Sequence, residues 1–164
     1  MMRGQFRPLL SDRRVLGLDP GKTTGWCLYS PHTTPRFGLY TLPGDDLGAQ
    51  LAGFKFWLDD MIEDHLPLLL ALERPFGRAA FTSDLPGTLC GIAHMVAHCH
   101  MIQRREFTAS AVKKGMTGDG RAPKGAVIAA VRSRFGVPAL ASHEADAAAV
   151  AVMAWAQEAQ RLPA

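Results

Sequence analysis

Val15-Leu16-Gly17-Leu18-Asp19-Pro20-Gly21-Lys22-Thr23-Thr24-Gly25-Trp26 is a short apolar run that delivers a carboxylate to a tight turn and then returns to extended sequence. The β-branched start and unbroken apolarity predict a buried strand, and Pro20-Gly21 turns the backbone directly after Asp19. Gly25-Trp26-Cys27-Leu28-Tyr29 resumes the extended pattern, so the motif is strand, turn, strand, with Asp19 at the lip. Alone, Asp19 would read as the opening of an Asp-Pro-Gly turn. Gly21-Lys22-Thr23 resembles the end of a phosphate-cradling loop, but that motif puts four residues between its glycines, whereas Gly17 and Gly21 are separated by three. An anionic Asp19 would also lie where phosphate must sit, and the phosphate-loop reading is rejected.

The same design recurs further on. Pro67-Leu68-Leu69-Leu70-Ala71-Leu72-Glu73 is a second continuous apolar run ending in one carboxylate. Continuous apolarity is the mark of a central strand covered on both faces. Two such strands side by side and parallel would bring Asp19 and Glu73 together. A third acidic position lies near the C-terminal end, where an alanine-rich helix capped by Ser142 is predicted to run to about Gln160. His143 and Asp146 share a face of its first turn, where the helix dipole favours an ionised carboxylate.

The remaining chain fits around these pieces. Arg36 to Leu42 reads as a third meander strand after a turn at Pro31–Pro35. Gly44-Asp45-Asp46 ends the sheet section and caps a helix to about His65, in which Leu47, Leu51, Phe54, Leu58 and Ile62 recur at helical spacing. Asp59, Asp60, Glu63 and Asp64 read as its solvated face. Arg74 to Pro86 is expected as loop, Gly87 to Met101 as helix, and Arg105 to Thr108 as the last strand. Cys90, His94 and His98 stand at successive i+4 steps, a spacing that can hold a metal, but a packed helix or dimer face is the preferred reading. Ala111 to Gly120 reads as a short helical turn and glycine-rich loop. Pro123 opens the next helix, with Val127, Val131 and Phe135 as its apolar stripe.

Length allows one domain, read as a basic N-terminal extension over 1–14 and a single domain over 15–164. Three cysteines, Cys27, Cys90 and Cys99, with no CxxC pair, argue against a disulfide framework or zinc ribbon and fit a reducing cytoplasm. No stretch has the apolar length of a signal peptide or membrane span. The net charge of +3 is unevenly spread. Between Arg104 and Arg134 eight basic residues stand against two acidic ones, which suggests that a polyanion is met there.

Asp19, Glu73 and Asp146, with His143 beside the last, therefore form a predicted constellation whose hard oxygen ligands suit Mg²⁺ or Mn²⁺. At this point the chain resembles the RuvC-type Holliday-junction resolvases of the ribonuclease-H-like fold, from about Val15 to Ala156. The resemblance rests on Leu16-Gly17-Leu18-Asp19-Pro20-Gly21 with Thr24-Gly25-Trp26, on Ala71-Leu72-Glu73 with Phe76, on Val112-Lys113-Lys114 with Thr117-Gly118-Asp119-Gly120-Arg121-Ala122-Pro123-Lys124, and on His143-Glu144-Ala145-Asp146-Ala147.

That resemblance implies an α/β fold with a mixed five-stranded sheet and helices on both faces. It implies a homodimer that cuts two strands of a four-way DNA junction symmetrically, with two divalent ions per site and branch-migration motors as possible partners. Asp19 would bridge both ions, Glu73 would hold one, and His143 with Asp146 the other. Lys113 and Lys124 would stand near the scissile phosphate, Phe76 would stack on unpaired bases, and Arg78, Lys114 and Arg121 would contact DNA. Many family members carry a carboxylate where this chain has His143, a change that could shift the donor set toward Mn²⁺. Gly77 to Cys90 shows little of the family's usual sequence. Three other readings compete. The same chemistry with looser choice, cutting forks, flaps or other branched DNA, is not separated from junction cleavage by the sequence. A non-cleaving junction binder is disfavoured because all four metal positions carry competent ligands, and an actin-like phosphotransferase would need two such domains.

Overall fold

The computed structural model describes residues 13–74 and 85–161. Its elements run β1 (Val15–Asp19), β2 (Thr23–Tyr29), β3 (Arg36–Thr41), α1 (Leu47–His65), β4 (Leu69–Glu73), α2 (Leu85–Cys99), β5 (Gln103–Phe107), α3 (Ala109–Thr117), α4 (Lys124–Phe135) and α5 (Ser142–Ala159). The strands form one sheet in the order β3-β2-β1-β4-β5. β1 to β3 are antiparallel neighbours, while β4 lies parallel to β1 and β5 parallel to β4. The mixed five-stranded sheet expected from sequence is present, with helices on both faces.

Strand periodicity divides the core in two, because successive side chains point to opposite faces. Val15, Cys27, Tyr29, Leu69 and Ala71 join the core formed with α3, α4 and α5. Leu16, Leu18, Leu28, Leu70 and Leu72 join the other, formed with α1 and α2. Asp19 and Glu73, one pleat beyond Gly17 and Ala71, therefore belong to the α5 face. β1 and β4 are paired through Leu18 and Leu72, so their terminal carboxylates lie beside each other.

Small residues let α5 approach unusually close. A Cβ added to Gly17 would lie 2.2 Å from the Ala147 carbonyl oxygen, and one added to Gly25 would lie 2.0 Å from that of His143. Ala145, Ala147, Ala148, Ala149, Ala151 and Ala154 of the helix are buried against this surface. Glycine in the sheet and alanine in the helix thus bring two backbones together where larger side chains would hold them apart.

Several boundaries differ from those read in the sequence. Ser142 is the first helical residue rather than the cap. Ala141 has the extended cap backbone, and its N–H donates to Glu144 Oε2 at 2.8 Å. Ser142 Oγ is buried and finds no partner among the described residues. Pro86 lies inside the first turn of α2, where a missing N–H costs no helical bond. α3 starts earlier than expected because Thr108 caps it, accepting from Ala111 N–H. β5 begins at Gln103, since pairing with β4 rather than local propensity sets its length. Asp46 caps α1 as expected. Asp59 is not merely solvated: it bonds Lys55 and takes His100 Nε2 at 3.0 Å, tying α1 to the end of α2. Phe76 and Arg78 lie outside the described residues.

Candidate active site

The turn after Asp19 is locked from within. Buried Thr24 donates its hydroxyl to the Gly21 carbonyl at 3.0 Å and accepts from Gly21 N–H at 3.3 Å. This fixes the exit of β1 and hence the direction of Asp19. From the facing helix, His143 places Nδ1 2.7 Å from Asp19 Oδ2. Asp146, one turn on, accepts Lys124 Nζ at 2.9 Å.

Ligand atoms of Asp19, His143 and Asp146 all lie within 4.8 Å of one another, and this is the group of three or more potential ligands found among the described residues. Glu73 stands outside that tight triad but close enough to feel it. Burial, followed by the charges of Asp19 and Asp146, pushes its carboxyl up to about 7, with Lys124 and Lys113 pulling the other way. Asp19 is also raised, by burial first. The His143 hydrogen bond opposes this and the Asp146 charge adds to it. Carboxylates crowded in a partly dry site at mutual electrostatic cost are what a cation relieves. The oxygen-rich donor set with one imidazole suits a divalent ion of the Mg²⁺ or Mn²⁺ type.

The predicted lysines fall into place differently. Lys124, first residue of α4, is paired with Asp146, and the lysine is held protonated above its ordinary range first by that bond. Lys113 is half-buried on α3 and acts on Glu73 through its charge. Lys114 and Arg121 are exposed at the end of α3 and in the loop that follows, where Asp119 Oδ1 accepts the Arg121 N–H at 2.9 Å. The expected stabilisation of Asp146 by the helix dipole is replaced in large part. With Ala141 as cap, Asp146 is the fifth helical residue, and dipole effects fade beyond the first turn. Lys124 supplies the counter-charge instead.

Cys90, His94 and His98 do not converge as ligands. His94 Nε2 instead bonds Glu106 of β5, and Cys90 is buried. Sequence reading missed this carboxylate. Its signal was a lone acid in the basic strand Gln103-Arg104-Arg105-Glu106-Phe107.

A mixed five-stranded sheet with carboxylates at the ends of adjacent parallel strands, faced by the first turns of a C-terminal helix, defines a ribonuclease-H-like protein with a candidate cation site. The family model described as "Crossover junction endodeoxyribonuclease RuvC" matches residues 15–154. The chain belongs to that family. A Ruegeria pomeroyi crossover junction endodeoxyribonuclease RuvC is 33% identical over 150 residues, covering 85% of this chain and 88% of the relative. The Thermus thermophilus RuvC structure superposes with a TM-score of 0.74 at 20% identity, covering 89% of this chain and 96% of that one. A structure of T. thermophilus RuvC in complex with Holliday junction substrate gives a TM-score of 0.73 at 19% identity, with the same coverage.

Proposed function

We propose that this chain is a crossover junction endodeoxyribonuclease that hydrolyses phosphodiesters in four-way DNA junctions with divalent metal. The observation that carries the reading is the convergence of Asp19, His143 and Asp146 within 4.8 Å, beside Glu73, in a chain of the RuvC family. Asp19, Glu73, His143 and Asp146 would hold the metal, and the family's motif assigns Asp19 as the ligand shared by two ions. Divalent ions held there would supply charge neutralisation for the phosphate and acidity for the attacking water.

The chain's own residues do the rest. Thr24 and the Gly25 contact with α5 hold Asp19 and His143 in register. Lys113 and Lys124 bring positive charge to the rim, where it offsets negative charge developing on phosphate oxygens. Lys114 and Arg121 extend that basic edge and are assigned to backbone phosphates. Phe76 and Arg78 are assigned to bases and backbone on the strength of the motif alone. Symmetric cutting of two strands requires two such sites, supplied by a homodimer, with branch-migration motors as the partners that would bring junctions to it.

The test is cleavage of a labelled synthetic four-way junction beside linear duplex and a flap, with Mg²⁺, with Mn²⁺ and with chelator. Paired symmetric nicks in the junction that require metal are expected. Equal cutting of the flap would replace the reading by a general branched-DNA nuclease. Tight junction binding without nicks under either metal would overturn the catalytic assignment. Faster cutting with Mn²⁺ than with Mg²⁺ is expected from the imidazole of His143.

A further inference from the structure

Behind Glu73 lies a second polar cluster on the opposite face of the sheet. Because strand side chains alternate, the residue after Glu73 points toward α2 rather than α5. Arg74 there places Nε and Nη2 3.3 and 3.2 Å from Glu106 Oε2. The other oxygen of Glu106 bonds His94 Nε2 of α2. Arg104 Nη1 adds a strut by donating to the His94 carbonyl oxygen at 2.8 Å, and the Arg74 N–H donates to the Phe107 carbonyl oxygen at 2.7 Å. Burial works to raise the Glu106 carboxyl, and its bonds to His94 and Arg74 outweigh that and hold it below its ordinary range. One carboxylate thus ties α2, β5 and the exit of β4 together.

We propose that Glu106 is a positioning residue for Glu73: by gripping Arg74 and His94 at once it fixes the strand end from which Glu73 faces Asp19 and Asp146. The inference rests on the cation site proposed above. Glu73 needs such an anchor, because it sits among like charges that push it away and is the last residue of β4. A carboxylate that ligates metal works only if its backbone resists that push. Groups that orient metal ligands without touching the ion change affinity or activity by about 10–100-fold when removed.

The experiment is Mn²⁺ titration calorimetry on wild type, Glu106→Ala, Arg74→Ala and the double variant, with single-turnover junction cleavage and junction binding measured in parallel. Each single variant is expected to weaken Mn²⁺ binding and slow cleavage by about 10-fold or more, with junction affinity within about twofold of wild type. The double variant should be no worse than the worse single one, since both act through one link. Arg74→Lys, which keeps one donor, should recover part of the loss. Unchanged Mn²⁺ affinity in Arg74→Ala, whose side chain is 60% exposed and whose folding is checked by its melting temperature, would overturn the inference, as would strictly additive losses. Wild type that binds Mn²⁺ yet never nicks junctions would overturn the proposed function alone, and the affinities would still decide the role of Glu106. Wild type that binds no Mn²⁺ would overturn both.

Discussion

Glu73 carries the most informative charge in the molecule. With its carboxyl raised to about 7 by burial and by Asp19 and Asp146, it holds a proton over much of the range in which a free glutamate would be ionised. A cation must displace that proton, so metal affinity should rise as pH climbs through about 7 and level off above it. Calorimetry in buffers of different ionisation enthalpy would count the released proton, and Glu73→Gln should abolish its release. Stability runs the other way. The folded chain binds this proton more tightly than the unfolded chain, so the contribution of Glu73 is present below the ordinary glutamate value of 4.5 and is lost as pH rises through about 7. Thermal melts with chelator should show this decline, and Glu73→Gln should flatten it. Asp19→Asn and Glu73→Gln are expected to leave junction binding largely intact and abolish cutting. Loss of folding in both would count against a catalytic role. Lys113→Ala should slow single-turnover cleavage by about 10²-fold, the scale of losing one charge-stabilising donor, while binding changes little. Unchanged rates would remove Lys113 from the mechanism.

At the scale of elements, the site depends on how α5 seats on β1 and β2. Gly25→Ala would drive a methyl into the His143 carbonyl and lift the start of α5 from the sheet. Overpacking of this kind costs about 1–3 kcal/mol, and here it also separates His143 from Asp19. A lowered melting temperature together with weakened Mn²⁺ binding is expected; a variant that melts lower but binds metal as before would show that the seating is structural only. Much of this architecture was legible in the sequence. Two apolar runs ending in single carboxylates were visible as parallel central strands, and the spacing of His143 and Asp146 placed both on one helical face. The contacts that span elements were not legible. Nothing local couples Lys124 to Asp146, or Glu106 to His94 and Arg74, because those pairs are set by which face each residue presents after the sheet has formed. Ser142 was read as a cap from its residue type, but the Glu144 side chain holding the Ala141 N–H decided the boundary. The Thr108 cap was equally available and was overlooked.

For the molecule as a whole, Lys113 and Lys124 put positive charge beside the site and Lys114 and Arg121 are exposed on α3 and the loop after it, whereas Arg134 lies near Tyr29 and Pro31 at the other end of the sheet. DNA affinity should therefore fall steeply with salt. Lys114→Ala should reduce the slope of log affinity against log salt by about 1 while leaving preference among DNA shapes unchanged. An unaltered slope would take Lys114 out of the DNA interface. Among the described residues no helix is long and apolar enough to cross a membrane. The hydrogen bond from His143 to Asp19 joins residues 124 positions apart. If cutting needs the proposed ligand set, a nascent chain that has made both central strands still lacks His143 and Asp146, and its cutting would wait until α5 docks.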